Sequence, residues 1–313
     1  MTAFLATLGG KLADTWLSLL VLPGLLYLAV LSAARVLGHG HPFDHGRLTA
    51  RIDALADGPA AQSPGTVVLV AAFVLAASAG AGRLTAVLGA GVERLWLGDW
   101  PWPLRPAARA LTRRRAQRWS TADARYRQAL TVRALRVAAD PLGGPAPRAP
   151  EDAGPEPDTV GLNEARNLIA LTRPARPTWM GDRLIAADAR VHATYRIDLT
   201  SAWPRLWLLM PDTAHLETQT ARGALTAAAR RAAWGLLYLL PALWWWPALL
   251  IVAVTWASAW RQGRLAVDEF AELVEAAVDL HGRDLANALG VPCEGRLTTA
   301  EGLEITRILR KGT

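Results

Sequence analysis

The sequence predicts an all-α integral membrane protein, and three observations lead to this fold class. The 313-residue chain contains long uncharged apolar segments, its hydrophobic share is 52%, and its charged share is only 19%. No segment alternates apolar and polar residues with the period of two that is typical of a half-buried strand. The composition excludes a disordered chain, and the single cysteine, Cys293, excludes an intramolecular disulfide framework and a cysteine-cluster metal site.

The first predicted transmembrane helix covers residues 15–34. It holds 20 consecutive uncharged residues between Asp14 and Arg35, and a helix of that length measures about 30 Å, enough to cross a bilayer. The alternative is a cleavable signal peptide, since residues 32–34 (Ser-Ala-Ala) resemble a cleavage site. The apolar core of a signal peptide is usually only about 7–15 residues long, so the sequence favours a membrane anchor.

The second predicted transmembrane helix covers residues 66–82, which are 17 uncharged residues ending at Arg83. This length is at the low end of the spanning range, and the arginine can extend its charge to the interface. Ala72, Ala76 and Gly80 recur every four residues, a spacing that allows close helix packing in lipid and that also arises by chance in alanine-rich sequence.

The third apolar segment, residues 232–260, is 29 residues long and has an unusual centre. Pro241 and Pro247 flank Trp244, Trp245 and Trp246 there, and tryptophan prefers the membrane interface to the midplane. The sequence therefore predicts a helical hairpin with both ends in the cytoplasm and these three tryptophans at the membrane interface. The alternative is a single, strongly tilted span that places the C-terminus outside.

The distribution of arginine predicts the orientation in the membrane. Residues 83–231 contain 23 basic and 14 acidic residues, whereas the loop at residues 38–65 contains only Arg47 and Arg51 as basic residues. Positive residues accumulate on the cytoplasmic side. We therefore expect a multi-pass membrane protein with a cytoplasmic N-terminus and a cytoplasmic central region.

The central region begins with a predicted basic helix at about residues 105–138. Ser120 and Asp123 have the spacing of a capping box within it. The arginines can bind anionic lipid headgroups or a cytoplasmic protein partner, whereas nucleic acid is a less economical explanation because the positive-inside rule already accounts for the charge. The candidate docking residues are Arg113, Arg114, Arg115 and Arg118.

The sequence predicts two units joined by a linker. Residues 1–138 form the N-terminal unit with the first two spans and the basic helix. Residues 139–161 contain six prolines and four glycines and form the predicted linker. The C-terminal unit, residues 162–313, contains cytoplasmic helices, the membrane segment and an amphipathic helix at about 265–289. Its aromatic run at residues 202–212 is interpreted either as a surface that docks on the membrane or as a buried core helix.

Several motifs of the C-terminal unit resemble an uncharacterised family of multi-pass, tryptophan-rich membrane proteins from high-GC bacteria. The resemblance covers roughly the last 140 residues of the chain. It implies no activity, cofactor or catalytic residue. The motifs that carry it are Pro177-Thr-Trp-Met-Gly-Asp-Arg-Leu, Trp203-Pro-Arg-Leu-Trp-Leu-Leu-Met-Pro, the tryptophan-rich segment, and Leu273-Val-Glu-Ala-Ala-Val-Asp-Leu-His-Gly-Arg.

The sequence offers little catalytic chemistry. His39, His41 and His45 lie within seven residues and are the candidate metal ligands, although a glycine- and proline-rich loop rarely supplies the fixed geometry that a metal needs. No catalytic constellation or cofactor motif is visible, so we predict neither an enzyme nor a bound cofactor.

The function predicted from the sequence is that of a non-enzymatic, homo-oligomeric membrane protein that forms a pore or channel. The alternative is a membrane-anchored scaffold or signalling component whose basic cytoplasmic region docks a protein partner or anionic lipid. Both hypotheses explain the absence of a catalytic motif.

Overall fold

A computed structural model of the protein describes residues 22–58, 63–139 and 157–311. Every regular element in these ranges is helical and no strand occurs in them, which confirms the all-α class. The helices are α1 (Leu22–Leu37), α2 (His45–Ala56), α3 (Pro64–Trp96), α4 (Arg105–Ala139), α5 (Thr159–Ile169), α6 (Trp179–Tyr195), α7 (Leu199–Leu209), α8 (Asp212–Leu237), α9 (Leu239–Ala242), α10 (Ala248–Ala288) and α11 (Thr299–Leu309), with a short 3-10 helix at Trp102–Leu104 before α4. Residues 15–21 of the first predicted span and residues 140–156 of the predicted linker lie outside the described ranges.

The chain forms two compact units. Unit A consists of Met1–Glu93 with Gly223–Gly263, and unit B consists of Arg94–Arg222 with Arg264–Thr313. This division differs from the one expected at the proline-rich linker. The linker does not separate the units, because α4 and α5, the helices on either side of it, pack against each other inside unit B.

Helix α3 is the long apolar helix of unit A. It is the one helix in the described ranges that is long and apolar enough to cross a membrane, and only 11% of its most apolar 18-residue window is buried. The predicted span 66–82 lies within it, and α1 is apolar but shorter. The core helix of a soluble protein is mostly buried, whereas this window of α3 is mostly exposed among the described residues.

The helices of unit A pack through small residues. A side chain at Gly24 in α1 would collide with Ser78 in α3, and a methyl group at Gly89 would lie 3.1 Å from the Cα atom of Arg230 in α8. Close backbone approach of this kind is characteristic of helix packing in lipid. The face of α3 that makes these contacts differs from the predicted stripe at Ala72, Ala76 and Gly80, whose residues are exposed.

The third apolar segment folds as a helical hairpin. Helix α8 ends at Leu237, the chain turns through α9 and the tryptophan triplet, and α10 begins at Ala248. The limbs run antiparallel side by side, since Arg231 donates a hydrogen bond to Gln262 and Gly235 lies against the ring of Trp256. The prolines flanking the triplet account for the turn, because they cannot continue regular helix hydrogen bonding.

Helix α10 contains both the second limb of the hairpin and the predicted amphipathic segment. The sequence predicted a separate amphipathic helix at 265–289, but residues 261–264 (Arg-Gln-Gly-Arg) are helical and α10 is 41 residues long. A change from apolar to amphipathic composition is therefore not a helix boundary here. A basic segment with no proline does not prevent helix propagation.

The core of unit B contains the predicted aromatic run. Helix α7 buries Ala202 and Leu206, and the half-buried Trp203 and Trp207 pack against the same core. Of the two interpretations of residues 202–212, the buried core helix describes this packing. The other fully buried side chains of this core are Ile197, Val278, Leu285, Ala286 and Ile305.

The basic helix α4 runs through the predicted capping box. Ser120 lies in the middle of the helix and its hydroxyl donates to the carbonyl of Gln117. The prediction that Ser120 caps a helix is therefore wrong. Asp123 instead pairs with Arg127 at 2.8 Å and with Arg166 of α5 at 3.2 Å, which joins α4 to α5.

Candidate functional site

The motif Pro177-Thr-Trp-Met-Gly-Asp-Arg forms the start of α6 and fixes the chain that follows α3. Thr178 is the N-cap residue: its hydroxyl accepts from the backbone N–H of Gly181 at 3.2 Å and donates to the carbonyl of Trp96. A methyl group at Gly181 would lie 2.6 Å from the carbonyl oxygen of Leu97. The motif is therefore a packing element that requires glycine at this position.

Asp182 is the centre of a buried polar cluster at the same point. Its carboxylate accepts from the backbone N–H groups of Ala175 at 2.8 Å and Arg176 at 2.7 Å, and it forms an ion pair with Arg115. Only 3% of Asp182 is exposed. These bonds hold the loop at residues 173–177 against α4.

Arg115 is bound inside this cluster. Besides Asp182, its guanidinium donates to the carbonyl of Arg176 at 2.8 Å and to that of Ile169 at 2.7 Å. We therefore remove Arg115 from the candidate docking residues, because both terminal guanidinium nitrogens donate within unit B. A largely buried arginine bound in this way is part of the fold.

A basic groove of about 720 Å³ lies between α4 and the loop at residues 173–177. Arg105, Arg109 and Arg113 follow one another at intervals of four residues, so they share one face of α4. The loop contributes Arg173. Arg176 and Asp99, whose side chains pair at 2.8 Å, also line the groove. The remaining lining residues are Gly98, Trp100, Ala108, Thr112, Ala116, Pro174, Ala175 and Pro177.

The charge of the groove is largely uncompensated. Asp99 is the one acidic lining residue and it is already paired with Arg176. Arg105, Arg109, Arg113 and Arg173 are exposed, and within residues 22–58, 63–139 and 157–311 they have no hydrogen-bond or ion-pair partner. The positive end of the α4 dipole adds to the same potential.

An exposed tryptophan stands beside the groove. Trp102 is 79% exposed, and with Pro103 and Pro106 it lines a second cavity of about 420 Å³, which shares Arg105 and Arg109 with the groove. Tryptophan next to arginine is the combination expected at a membrane–water interface. The sequence predicts that α4 is basic but does not predict the groove, because Arg173 is distant in sequence from Arg105, Arg109 and Arg113.

The remaining docking candidates separate into two groups. Arg113 lines the groove, whereas Arg114 and Arg118 are exposed on α4 and do not line it. The two groups are neighbours on one helix and consist of the same residue type. They therefore form a natural pair for comparison.

The three predicted interface tryptophans all contact the end of α1 and the loop after it. The guanidinium of Arg35 lies 4.5 Å from the ring centre of Trp244. The indole N–H of Trp245 donates to the carbonyl of Pro42 at 2.9 Å, and Trp246 makes an edge contact with Phe43. This cluster of aromatic rings, a cation and a satisfied indole N–H has the composition of a membrane-interface belt.

The candidate metal ligands do not form a metal site. In the described part of the chain no group of three His, Cys, Asp or Glu side chains is close enough to hold an ion. His41 lies 3.5 Å from Arg47, a cation that disfavours metal binding. His45 instead begins helix α2, which Asp44 caps by accepting from the backbone N–H of Arg47.

A second buried arginine was not identified from the sequence. The guanidinium of Arg183 bonds to Asp268 at 2.5 Å and to Glu275 at 3.0 Å, and Glu275 also pairs with Arg190. Burial alone lowers the pKa of Arg183, but the hydrogen bonds to Asp268 and Glu275 outweigh it and raise the pKa above its ordinary value. This network joins α6 to α10 and has a structural role.

Comparison of the chain with known protein families, with characterised proteins and with solved structures gives no match. The resemblance to tryptophan-rich bacterial membrane proteins therefore stays a prediction.

Proposed function

We propose that the protein is a multi-pass membrane protein of the bacterial cell membrane that holds unit B in the cytoplasm, where α4 docks anionic lipid. The observation that supports membrane insertion is the exposed apolar surface of α3. The uncharged limb of α10, residues 248–260, measures about 20 Å, which is shorter than the ~30 Å hydrocarbon core. The arginines at the base of the hairpin extend toward the interface to make up the difference.

The two ends of unit A carry the groups expected at two membrane interfaces. Arg35 with Trp244, Trp245 and Trp246 forms one end. Arg230, Arg231 and Arg261 lie at the base of the hairpin, where the hydrogen bond between Arg231 and Gln262 closes it. The higher arginine content of the second end supports a cytoplasmic location for it.

Reporter fusions test this topology. A reporter inserted near Ala60 is expected to be active outside the cytoplasm, and a reporter after Thr313 is expected to be active inside. A fusion near Ala60 that is active only in the cytoplasm would contradict the orientation. A C-terminal reporter active only outside would instead support the single tilted span.

The composition of α4 supports lipid docking. This helix contains ten arginines and one acidic residue, Asp123, and Asp123 is already paired. Each basic residue near an anionic membrane surface contributes about 1 kcal/mol of attraction. Native mass spectrometry of the purified full chain tests the proposal by counting retained phosphatidylglycerol molecules.

The test compares the unmodified chain with a variant in which Arg113, Arg114 and Arg118 are replaced by Glu. We expect the charge-reversed chain to retain less phosphatidylglycerol and the same amount of phosphatidylcholine. Equal retention of phosphatidylglycerol by both chains would show that α4 does not dock anionic lipid.

A pore built by self-association is a second candidate, and one observation favours it. Ala72, Ala76 and Gly80 form a stripe of small residues on α3 that no other part of the described chain covers. Such a stripe permits close approach of a second copy in lipid. Ion flux through proteoliposomes, measured together with the oligomeric mass, tests the pore: a monomer without flux would exclude it.

A further inference from the structure

The basic groove of unit B is more specific than a charged helix surface. Its volume of about 720 Å³ falls in the range of ligand pockets, roughly 300–1,000 Å³. Three arginines on one face of α4 and Arg173 of the loop line the same concavity. A diffuse basic surface attracts many anions weakly, whereas a concave site can surround one anion with several donors.

The four free guanidiniums of the groove set the charge of the ligand. Arg105, Arg109, Arg113 and Arg173 have no partner in the described part of the chain. Like charges four residues apart on a helix destabilise it. A bound anion would remove this repulsion. A single carboxylate carries one charge, whereas a phosphate monoester carries about two and offers three acceptor oxygens.

The wall opposite α4 is held rigidly before any ligand arrives. The carboxylate of Asp182 accepts hydrogen bonds from the backbone N–H groups of Ala175 and Arg176, and the guanidinium of Arg115 donates to the carbonyl of Arg176. The loop that carries Arg173 therefore has a fixed backbone. Binding to a preorganised wall avoids part of the ordering cost that a flexible loop would impose.

The geometry points to a binding site for a phosphate-bearing anion in this groove, held by Arg105, Arg109, Arg113 and Arg173. The planar guanidinium fork matches phosphate oxygens in a bidentate manner. The inference deepens the proposed docking of anionic lipid and rests on it. The same chemistry can come from a phosphomonoester lipid headgroup or from a soluble phosphate compound.

Isothermal titration calorimetry of the full chain in neutral detergent separates these sources. One titration uses dihexanoyl phosphatidic acid, a second uses inorganic pyrophosphate, and dihexanoyl phosphatidylcholine is the neutral control. The groove variant is R105Q/R109Q and the matched variant is R114Q/R118Q, which removes the same charge from α4 outside the groove. None of these four side chains has a partner in the described chain, so neither variant is expected to unfold at a lower temperature than the unmodified chain.

The expected result is binding of phosphatidic acid, of pyrophosphate or of both, with affinity lowered at least about tenfold in R105Q/R109Q. The R114Q/R118Q variant is expected to lose less than about threefold, because its charges act only at a distance. Binding of phosphatidic acid alone would assign the site to a headgroup, and binding of pyrophosphate alone would assign it to a soluble anion.

Two results would contradict the proposed binding site. Equal weakening of both double variants would indicate diffuse attraction, which excludes the groove as a discrete site and leaves the proposed lipid docking intact. Absence of binding to the unmodified chain by both phosphate probes would also exclude it. Failure of the proposed lipid docking would appear separately, as equal retention of phosphatidylglycerol by the charge-reversed chain and the unmodified chain.

Discussion

Arg115 of α4 and Asp182 of α6 form an ion pair that joins two segments 67 positions apart. The side chain of Asp182 is 4% exposed and that of Arg115 is 18% exposed. The pair defines one wall of the basic groove, because the loop at residues 173–177 is bonded to both partners. The sequence predicted that Arg115 docks a partner, but its charge is bound within the fold.

Loss of this pair is expected to destabilise unit B strongly. Replacement of Asp182 by Ala leaves the Arg115 guanidinium half-buried without its carboxylate, and removal of one partner of a buried pair typically costs about 3–5 kcal/mol. The matched control is R114Q, which removes a neighbouring exposed arginine and is expected to change the free energy of unfolding by less than about 0.5 kcal/mol. Denaturant unfolding in detergent measures both. Equal stability of D182A and R114Q would contradict the structural role of the pair.

Replacement of Gly181 by Ala is expected to destabilise the start of α6 by about 1–3 kcal/mol. The added methyl group would lie 2.6 Å from the carbonyl oxygen of Leu97, which is backbone and cannot rotate away. The control is Gly223→Ala in α8, where a methyl group meets nothing within 4 Å and where alanine is expected to stabilise the helix by about 0.5–1 kcal/mol. Thermal unfolding of the two variants should therefore shift in opposite directions.

The hairpin of unit A predicts a compensating pair of substitutions. Gly235→Ala alone is expected to destabilise the hairpin, because its methyl group would lie 2.5 Å from a ring carbon of Trp256. In the double variant G235A/W256A the smaller side chain makes room for the methyl group. A double-mutant cycle of the free energy of unfolding should show a favourable coupling of about 0.5–3 kcal/mol. Strict additivity would mean that the two limbs do not pack side by side.

The link between α7 and α11 is expected to weaken in acid. Burial raises the pKa of Asp198, but hydrogen bonds from Arg310 and Ser201 outweigh it and hold the pKa below its ordinary value. A carboxyl group with a lowered pKa in the folded state contributes stability above its unfolded pKa of about 3.9. This contribution is lost as the pH falls through the lower folded value.

The D198N variant tests this pH dependence. It is expected to be less stable than the unmodified chain at pH 7 and to lose less stability between pH 5 and pH 2, because its side chain cannot be protonated. Unfolding curves recorded across this range measure the difference. Parallel stability profiles of the two proteins would show that Asp198 makes no pH-dependent contribution.

Local patterns predicted the helices well where one physical signal was dominant. The arginine-rich segment and the second uncharged segment were predicted to be helical, and they form α4 and α3. The prolines around the tryptophan triplet were predicted to make a turn, and they lie between α8 and α10. Boundaries based on composition were less accurate, because a helix can pass from apolar to charged sequence without a break, as α10 does at residues 261–264. The cap at Ser120 was wrong for a similar reason, since α4 had already begun at Arg105.

The sequence by itself determined the helical class, the position of the apolar segments and the excess of arginine in the central region. These properties depend on residues that are near one another in the chain, where periodicity and charge are directly visible. Only the tertiary structure decided which arginines are free. Arg115 and Arg114 are adjacent and chemically identical, yet one is bound by Asp182 and the other is exposed. That difference comes from contacts between segments far apart in sequence, which local patterns do not encode.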